Sequence, residues 1–83
     1  LFLLTMRVAL GHDLDRMAGA ALDAQLAGRK LISVATAKQG SSLEFSYETR
    51  LRPGSSPEEL IRVLNRIEGI QDIQIQRRSF EEN

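Results

Sequence analysis

The chain's only histidine, His12, stands in Gly11-His12-Asp13, with a further acid at Asp15. A glycine turn that runs into a helix start presents backbone N–H groups able to hold a small anion or a ligand carboxylate, which makes Gly11, His12 and Asp13 the ligand-binding candidates of this sequence. The same three residues fit a plainer account, and their types favour it: Gly11 makes a turn, Asp13 caps a helix, and His12 faces water. A metal centre needs several converging ligands, and one imidazole beside two aspartates falls short, so neither a metal nor a cofactor is expected. Glu44, Glu48 and Arg50 form a second group, at positions that share one face of a strand. Paired carboxylates acting as acid and base need burial to drive their pKa values apart, and nothing apolar surrounds these two. They read as the wet face of an antiparallel sheet, and no catalytic residue is assigned.

The elements that must hold these residues are plainest from Ser55 to Ile75. Ser56 is placed to cap a helix, Pro57 to take its first position where no N–H is needed, and Glu59 to complete a capping box. Leu60, Val63, Leu64 and Ile67 make one apolar stripe, with Glu58 and Arg62 spaced as an ion pair on the wet side. Gly69 is set to end the helix in the left-handed conformation, with Ile70 folding back on Leu64. The period then changes to two, because Ile73 and Ile75 alternate with Asp72, Gln74 and Gln76, and this is a strand.

Upstream, Phe2, Leu4, Met6, Val8 and Leu10 occupy alternate positions of a first strand. From Leu14 to Leu26 the apolar spacing is helical, with Gly28 as its end. Lys30 to Gln39 is β-branched and small enough for a second strand, Gly40-Ser41-Ser42 is a turn, and Leu43, Phe45, Tyr47 and Leu51 alternate along a third strand that closes a hairpin. Strand, helix, strand, strand, helix, strand with right-handed crossovers gives an α+β, ferredoxin-like βαββαβ sandwich: an antiparallel sheet in the order 4-1-3-2 with two helices on one face.

Eighty-three residues, 42% of them apolar, suit one small domain over residues 1–83. The start at Leu1 and the polar end at Glu81, Glu82 and Asn83 read as a piece of a longer protein. Balanced charge gives no overall field to draw in nucleic acid or an anionic membrane. Lys38, Arg50, Arg52, Arg77 and Arg78 raise an RNA-binding reading on this topology, but that mode stacks bases on exposed rings, whereas Phe45 and Tyr47 fall on the core face. The absence of cysteine excludes disulfides and thiolate metal sites. Leu1–Leu4 is far too short to span a bilayer, so any membrane part lies upstream.

Among families of this topology, metal-transport domains need Cys-x-x-Cys in the first loop, and acylphosphatases need an arginine in a glycine-rich first loop and an asparagine in the third strand. Neither pattern occurs here. The strand, the glycine of the first loop and the closing Arg66-Ile67-Glu68-Gly69-Ile70-Gln71-Asp72-Ile73-Gln74-Ile75 resemble an ACT-like regulatory domain. Where amino-acid-binding ACT domains usually carry Pro-Gly or a similar pair, Gly11 is followed by His12-Asp13. The segment from Leu43 to Gly54, with Asn65-Arg66-Ile67-Glu68-Gly69, resembles the soluble C-terminal tail of an uncharacterised family of bacterial multi-pass membrane proteins, and more loosely the tail of MgtC/SapB-type proteins. These resemblances imply a non-enzymatic regulatory or oligomerisation domain in the cytoplasm, attached to a membrane part. An amino-acid-type sensing domain is the alternative, with an RNA-binding or enzymatic module behind it.

The second strand carries the expectation about assembly. Leu31-Ile32-Ser33-Val34-Ala35-Thr36-Ala37 has neither charge nor proline, although the topology places it at a sheet edge, where natural proteins normally post a guard. Ile32, Ser33, Val34, Ala35 and Thr36 are therefore the candidate edge for homo-oligomerisation.

Overall fold

The computed structural model describes residues 1–78, so Glu81, Glu82 and Asn83 lie outside the described residues. Seven elements follow in order: β1 (Phe2–Ala9), α1 (Leu14–Gln25), β2 (Leu26–Ala37), a short 3-10 turn (Lys38–Gly40), β3 (Ser42–Leu51), α2 (Pro57–Asn65) and β4 (Ile70–Arg77). The four strands form one antiparallel sheet in the order β2-β3-β1-β4, which is the ferredoxin-like arrangement that the alternation predicts.

The core sits between the sheet and the two helices. Leu4, Met6 and Val8 point to one side of β1 and are at most 1% exposed, while Leu14, Ala18 and Leu22 of α1 and Leu60 and Leu64 of α2 close over them. Opposite Leu4, Met6 and Val8 on β3 stand Tyr47, Phe45 and Leu43, so the odd positions of β3 share the helix-covered face and the even ones share the open face. Thr49, on the covered face, is buried and donates its hydroxyl to the carbonyl of Phe2 at 3.3 Å.

Local boundaries differ from the sequence reading in four places, each for a physical reason. First, α1 ends at Gln25 rather than at Gly28. Leu26 is already extended (φ −111°, ψ 133°), still donates its N–H to the carbonyl of Leu22, and is 2% exposed as the first core residue of β2. Strand β3 reaches far enough for Leu26 to pair with Leu51, and a register shift around Ala27 then places Gly28 inside the strand opposite Arg50. Second, the hairpin turns at Lys38 and Gln39, both left-handed (φ 52° and 57°), ahead of Gly40-Ser41-Ser42. The Ser41 hydroxyl donates to the Lys38 carbonyl at 2.9 Å and secures that turn.

Third, β1 stops at Ala9, and Leu10 swings out to 55% exposure ahead of Gly11 (φ 90°), so it is not part of the buried alternation. Fourth, helix α2 starts as read but ends earlier. The Ser56 hydroxyl accepts the Glu59 N–H at 3.1 Å with Pro57 at the first position, yet the Glu59 carboxylate pairs with Arg62 instead of completing the capping box, in place of the Glu58–Arg62 pair. The chain leaves the helix at Asn65, and Gly69 (φ 98°) makes the turn into β4 four residues later. Ile73 and Ile75 pack against the core edge as the alternation requires.

Leu64 has no exposed surface, so Leu64→Ala should cost about 2–5 kcal/mol in urea unfolding, whereas Arg62→Ala, removing a solvent-facing pair, should cost well under about 1 kcal/mol. Ser56→Ala should cost about 1 kcal/mol through the lost cap. Equal, mild effects at Leu64 and Arg62 would contradict the way α2 faces the sheet.

Candidate functional site

The three first-loop candidates take the plainer of their two roles. Asp13 caps α1 by accepting the Asp15 N–H at 3.1 Å, Gly11 makes the left-handed turn, and all three residues are exposed. The imidazole of His12 lies over the turn before β4, where a Cβ added to Gly69 would meet its ring atoms at 3.4 Å and Met17 Cε at 3.3 Å. Loop and turn thus close on each other. Among the described residues no three His, Cys, Asp or Glu side chains gather as metal ligands.

On the open face the strand charges are partly self-neutralised. Arg7, on the middle strand β1, reaches Asp72 of β4 at 3.0 Å and Glu44 of β3 at 4.0 Å. Asp72 stands at a register shift between Thr5 and Arg7 with φ 54°, a left-handed backbone that aspartate tolerates better than most residues. Glu48 is opposite Lys30 and Arg50 is opposite Gly28. Leu1, Gly28, Arg29, Lys30, Glu48 and Arg50 surround a shallow cleft of about 320 Å³ there.

Arg29 is the structural residue that sequence reading does not single out. It sits on the helix-covered side of β2, with its Nε 3.6 Å from Asp23 and its Nη1 3.3 Å from Asp15, both on α1. Its guanidinium lies 5.5 Å from the centroid of Tyr47, whose ring stacks on Phe45 at 6.4 Å and 11°. One side chain therefore ties α1, β2 and β3 together. The available signal is the eight-residue spacing of Asp15 and Asp23, which puts both acids on one helix face.

Beyond this clamp the surface opens along β2. The strand is twelve residues long, is the last in the sheet on its side, and is exposed from Leu31 to Thr36, with Leu31 at 49%, Ile32 at 48% and Val34 at 46%. Which of its backbone groups are free follows from parity. The Leu10 N–H donates to Ser41 of the β3 side at 3.2 Å and the Ala9 N–H turns the other way, to Gly69, at 3.2 Å. Ala9 opposite Ser42 is therefore a non-hydrogen-bonded pair, and the backbone of Ser42 points to β2. At the other end of β3 the Arg52 N–H donates to Gln25 at 3.0 Å, the same parity.

Every even residue of β3 thus bonds to β2, and its partners Ser33, Ala35 and Ala37 are consumed in the hairpin. Val34 and Thr36, opposite Phe45 and Leu43, turn their N–H and C=O groups outward. Arg29 and Leu31, opposite Thr49 and Tyr47, do the same below the register shift at Ile32. The candidate edge residues Ile32 to Thr36 thus sit together on a free edge, but only the outward members can pair with another strand.

No family model, curated protein or solved structure matches this chain.

Tyr47 is the chain's only tyrosine, so its ionisation can be followed by ultraviolet absorbance without interference. Burial raises its pKa above the ordinary value, with the nearby Arg29 charge opposing. The native state then keeps the phenolic proton longer than the unfolded chain does. Stability should be full below about pH 10 and fall as pH rises from the unfolded through the folded pKa. A Tyr47 that titrates in the native protein at or below the free value would contradict the arrangement.

Proposed function

We propose that this domain is a non-enzymatic regulatory or oligomerisation module that joins copies of its own chain through the free edge of β2. The observation that carries the reading is the run Leu31–Ala37, an exposed edge with outward backbone groups, no charge, no proline and no covering loop among the described residues, whose one irregularity, at Ile32, leaves Ser33–Ala37 regular. No constellation of reactive side chains among the described residues competes with it. Glu44 faces Arg7, Glu48 faces Lys30, and the rings of Phe45 and Tyr47 lie on the helix-covered side rather than on the open face where bases would stack.

The resemblance of residues 43–54 and 65–69 supports placing the module as an ACT-like cytoplasmic tail of a bacterial membrane protein, with the membrane part upstream. No helix of the described residues is long and apolar enough to cross a membrane. The amino-acid-sensing alternative draws on Gly11, His12 and Asp13, but this loop is packed on Gly69, and the cleft described above lies elsewhere, beside Gly28.

Proline distinguishes the two directions of the β2 backbone. Val34→Pro removes an outward donor and should leave a folded domain by circular dichroism that sediments as a monomer. Ser33→Pro removes a donor used in the hairpin with β3 and should lower the melting temperature instead. An unmodified domain that is monomeric at high micromolar concentration, or a Val34→Pro domain that keeps its dimer, would refute this function.

A further inference from the structure

We infer that two copies pair their β2 strands antiparallel about a two-fold axis at Ala35, so that Val34 of each copy exchanges both backbone hydrogen bonds with Thr36 of the other. This rests on the edge-assembly reading above and adds the register and the relative placement of the two copies.

Three constraints set the register. Pairing across an antiparallel two-fold must bring outward-facing residues opposite outward-facing residues, which removes every register that would set an even position above Ile32 against an odd one. Centring on Val34 would put Lys30 of one copy directly opposite Lys38 of the other, a like-charge pair, and would set the irregular Ile32 against Thr36. Centring on Ala35 uses only Ser33–Ala37, the stretch of β2 that pairs with β3 without a register shift. It also opposes no two charges, because Lys38 then meets Ile32.

The side chains fit a second copy under that register. On the open face Ser33 meets Ala37 and Ala35 meets itself, small against small, so the two backbones approach without obstruction. On the helix-covered face Val34 meets Thr36, two β-branched residues that pack well across strands, and Val34, now 46% exposed, gains a cover. A two-fold that relates antiparallel neighbours in one sheet stands perpendicular to that sheet, and therefore keeps faces matched. Both pairs of helices lie on the same side of a continuous sheet with the two β2 strands at its centre, and the Leu31 side chains flank the seam. The unguarded, self-complementary strip is what identifies the partner as another copy of this chain.

The described chain and the full sequence contain no cysteine, so a single introduced thiol can form a disulfide only between copies. At Ala35 the two Cα atoms would form a non-hydrogen-bonded pair about 4.5 Å apart, within the range of about 4.4–6.8 Å that disulfides span. Two residues of offset put the Val34 Cα atoms of the two copies beyond the roughly 7 Å limit. Mild oxidation followed by non-reducing electrophoresis should therefore convert most of an Ala35→Cys domain to a covalent dimer, while Val34→Cys stays largely monomeric under the same conditions. Both variants are checked for folding by circular dichroism, and both lie on an exposed strand. Preferential cross-linking of Val34→Cys would overturn the Ala35 register, as would failure of both variants to cross-link while sedimentation still shows a dimer that Val34→Pro abolishes. In those two cases edge assembly survives. An unmodified domain that sediments as a monomer removes both readings.

Discussion

The two-residue period of β1 and β3 is the constraint on which the rest of this structure depends. It puts Leu4, Met6 and Val8 under the helices together with Phe45, Tyr47 and Thr49, and in doing so assigns every neighbouring residue to the other face. It also decides which backbone groups of β3 bond to β1 and which to β2. A slip of one residue would expose the core and reverse the edge, so burial in β1 and β3 holds the edge's hydrogen-bonding direction in place although Leu31–Thr36 are themselves exposed. The outward backbone groups of Val34 and Thr36 are thus a remote consequence of packing at Leu4 and Met6.

Most of this was legible in the amino-acid sequence, because alternation and caps are local signals. Ser56-Pro57, Asp13 and the alternate apolar residues of β1 and β3 each carry enough information in a few residues to place an element. The misread boundaries are those where a distant partner overrides a local preference. Gly28 looks like a helix terminator, yet β3 supplies a partner to Leu26 and the helix gives way three residues earlier. Lys38 and Gln39 have no preference for left-handed backbone. The turn takes that shape because both strands are already registered on either side of it. Leu10 continues an apolar alternation whose strand has run out.

Charged residues show the same division between local and distant information. The Glu59–Arg62 contact arises within one helix turn, but its partner choice differs from the spacing argument because Glu58 and Glu59 compete for a single arginine. Arg7 answers carboxylates of β3 and β4, and Arg29 of β2 answers two carboxylates of α1, a geometry that only the assembled fold creates. Their energetic weights differ. Arg7 is one-third exposed and its ion pairs are screened, so they are worth at most about 1 kcal/mol each, whereas Arg29 lies across the Tyr47 ring and gains a cation–π contact of about 0.5–2 kcal/mol in addition. The clamp therefore matters more to the β2 side of the sheet, where no second helix is available.

That asymmetry bears on how the two edges of the sheet, β2 and β4, differ. The last strand carries Gln71, Gln74, Gln76 and Arg77 among its exposed residues and is kinked by Asp72, so polar side chains and an irregular backbone discourage another strand from docking there. On β2 the only large charged residue on the covered side, Arg29, is turned inward to Asp15, Asp23 and Tyr47, and the outer half of the strand beyond Ile32 is left uncharged and in regular register. Drawing Arg29 inward stabilises the monomer and at the same time removes the charge that would otherwise protect the edge. The contact that holds α1 to the sheet is thus also what keeps the Arg29 charge off the adjoining edge.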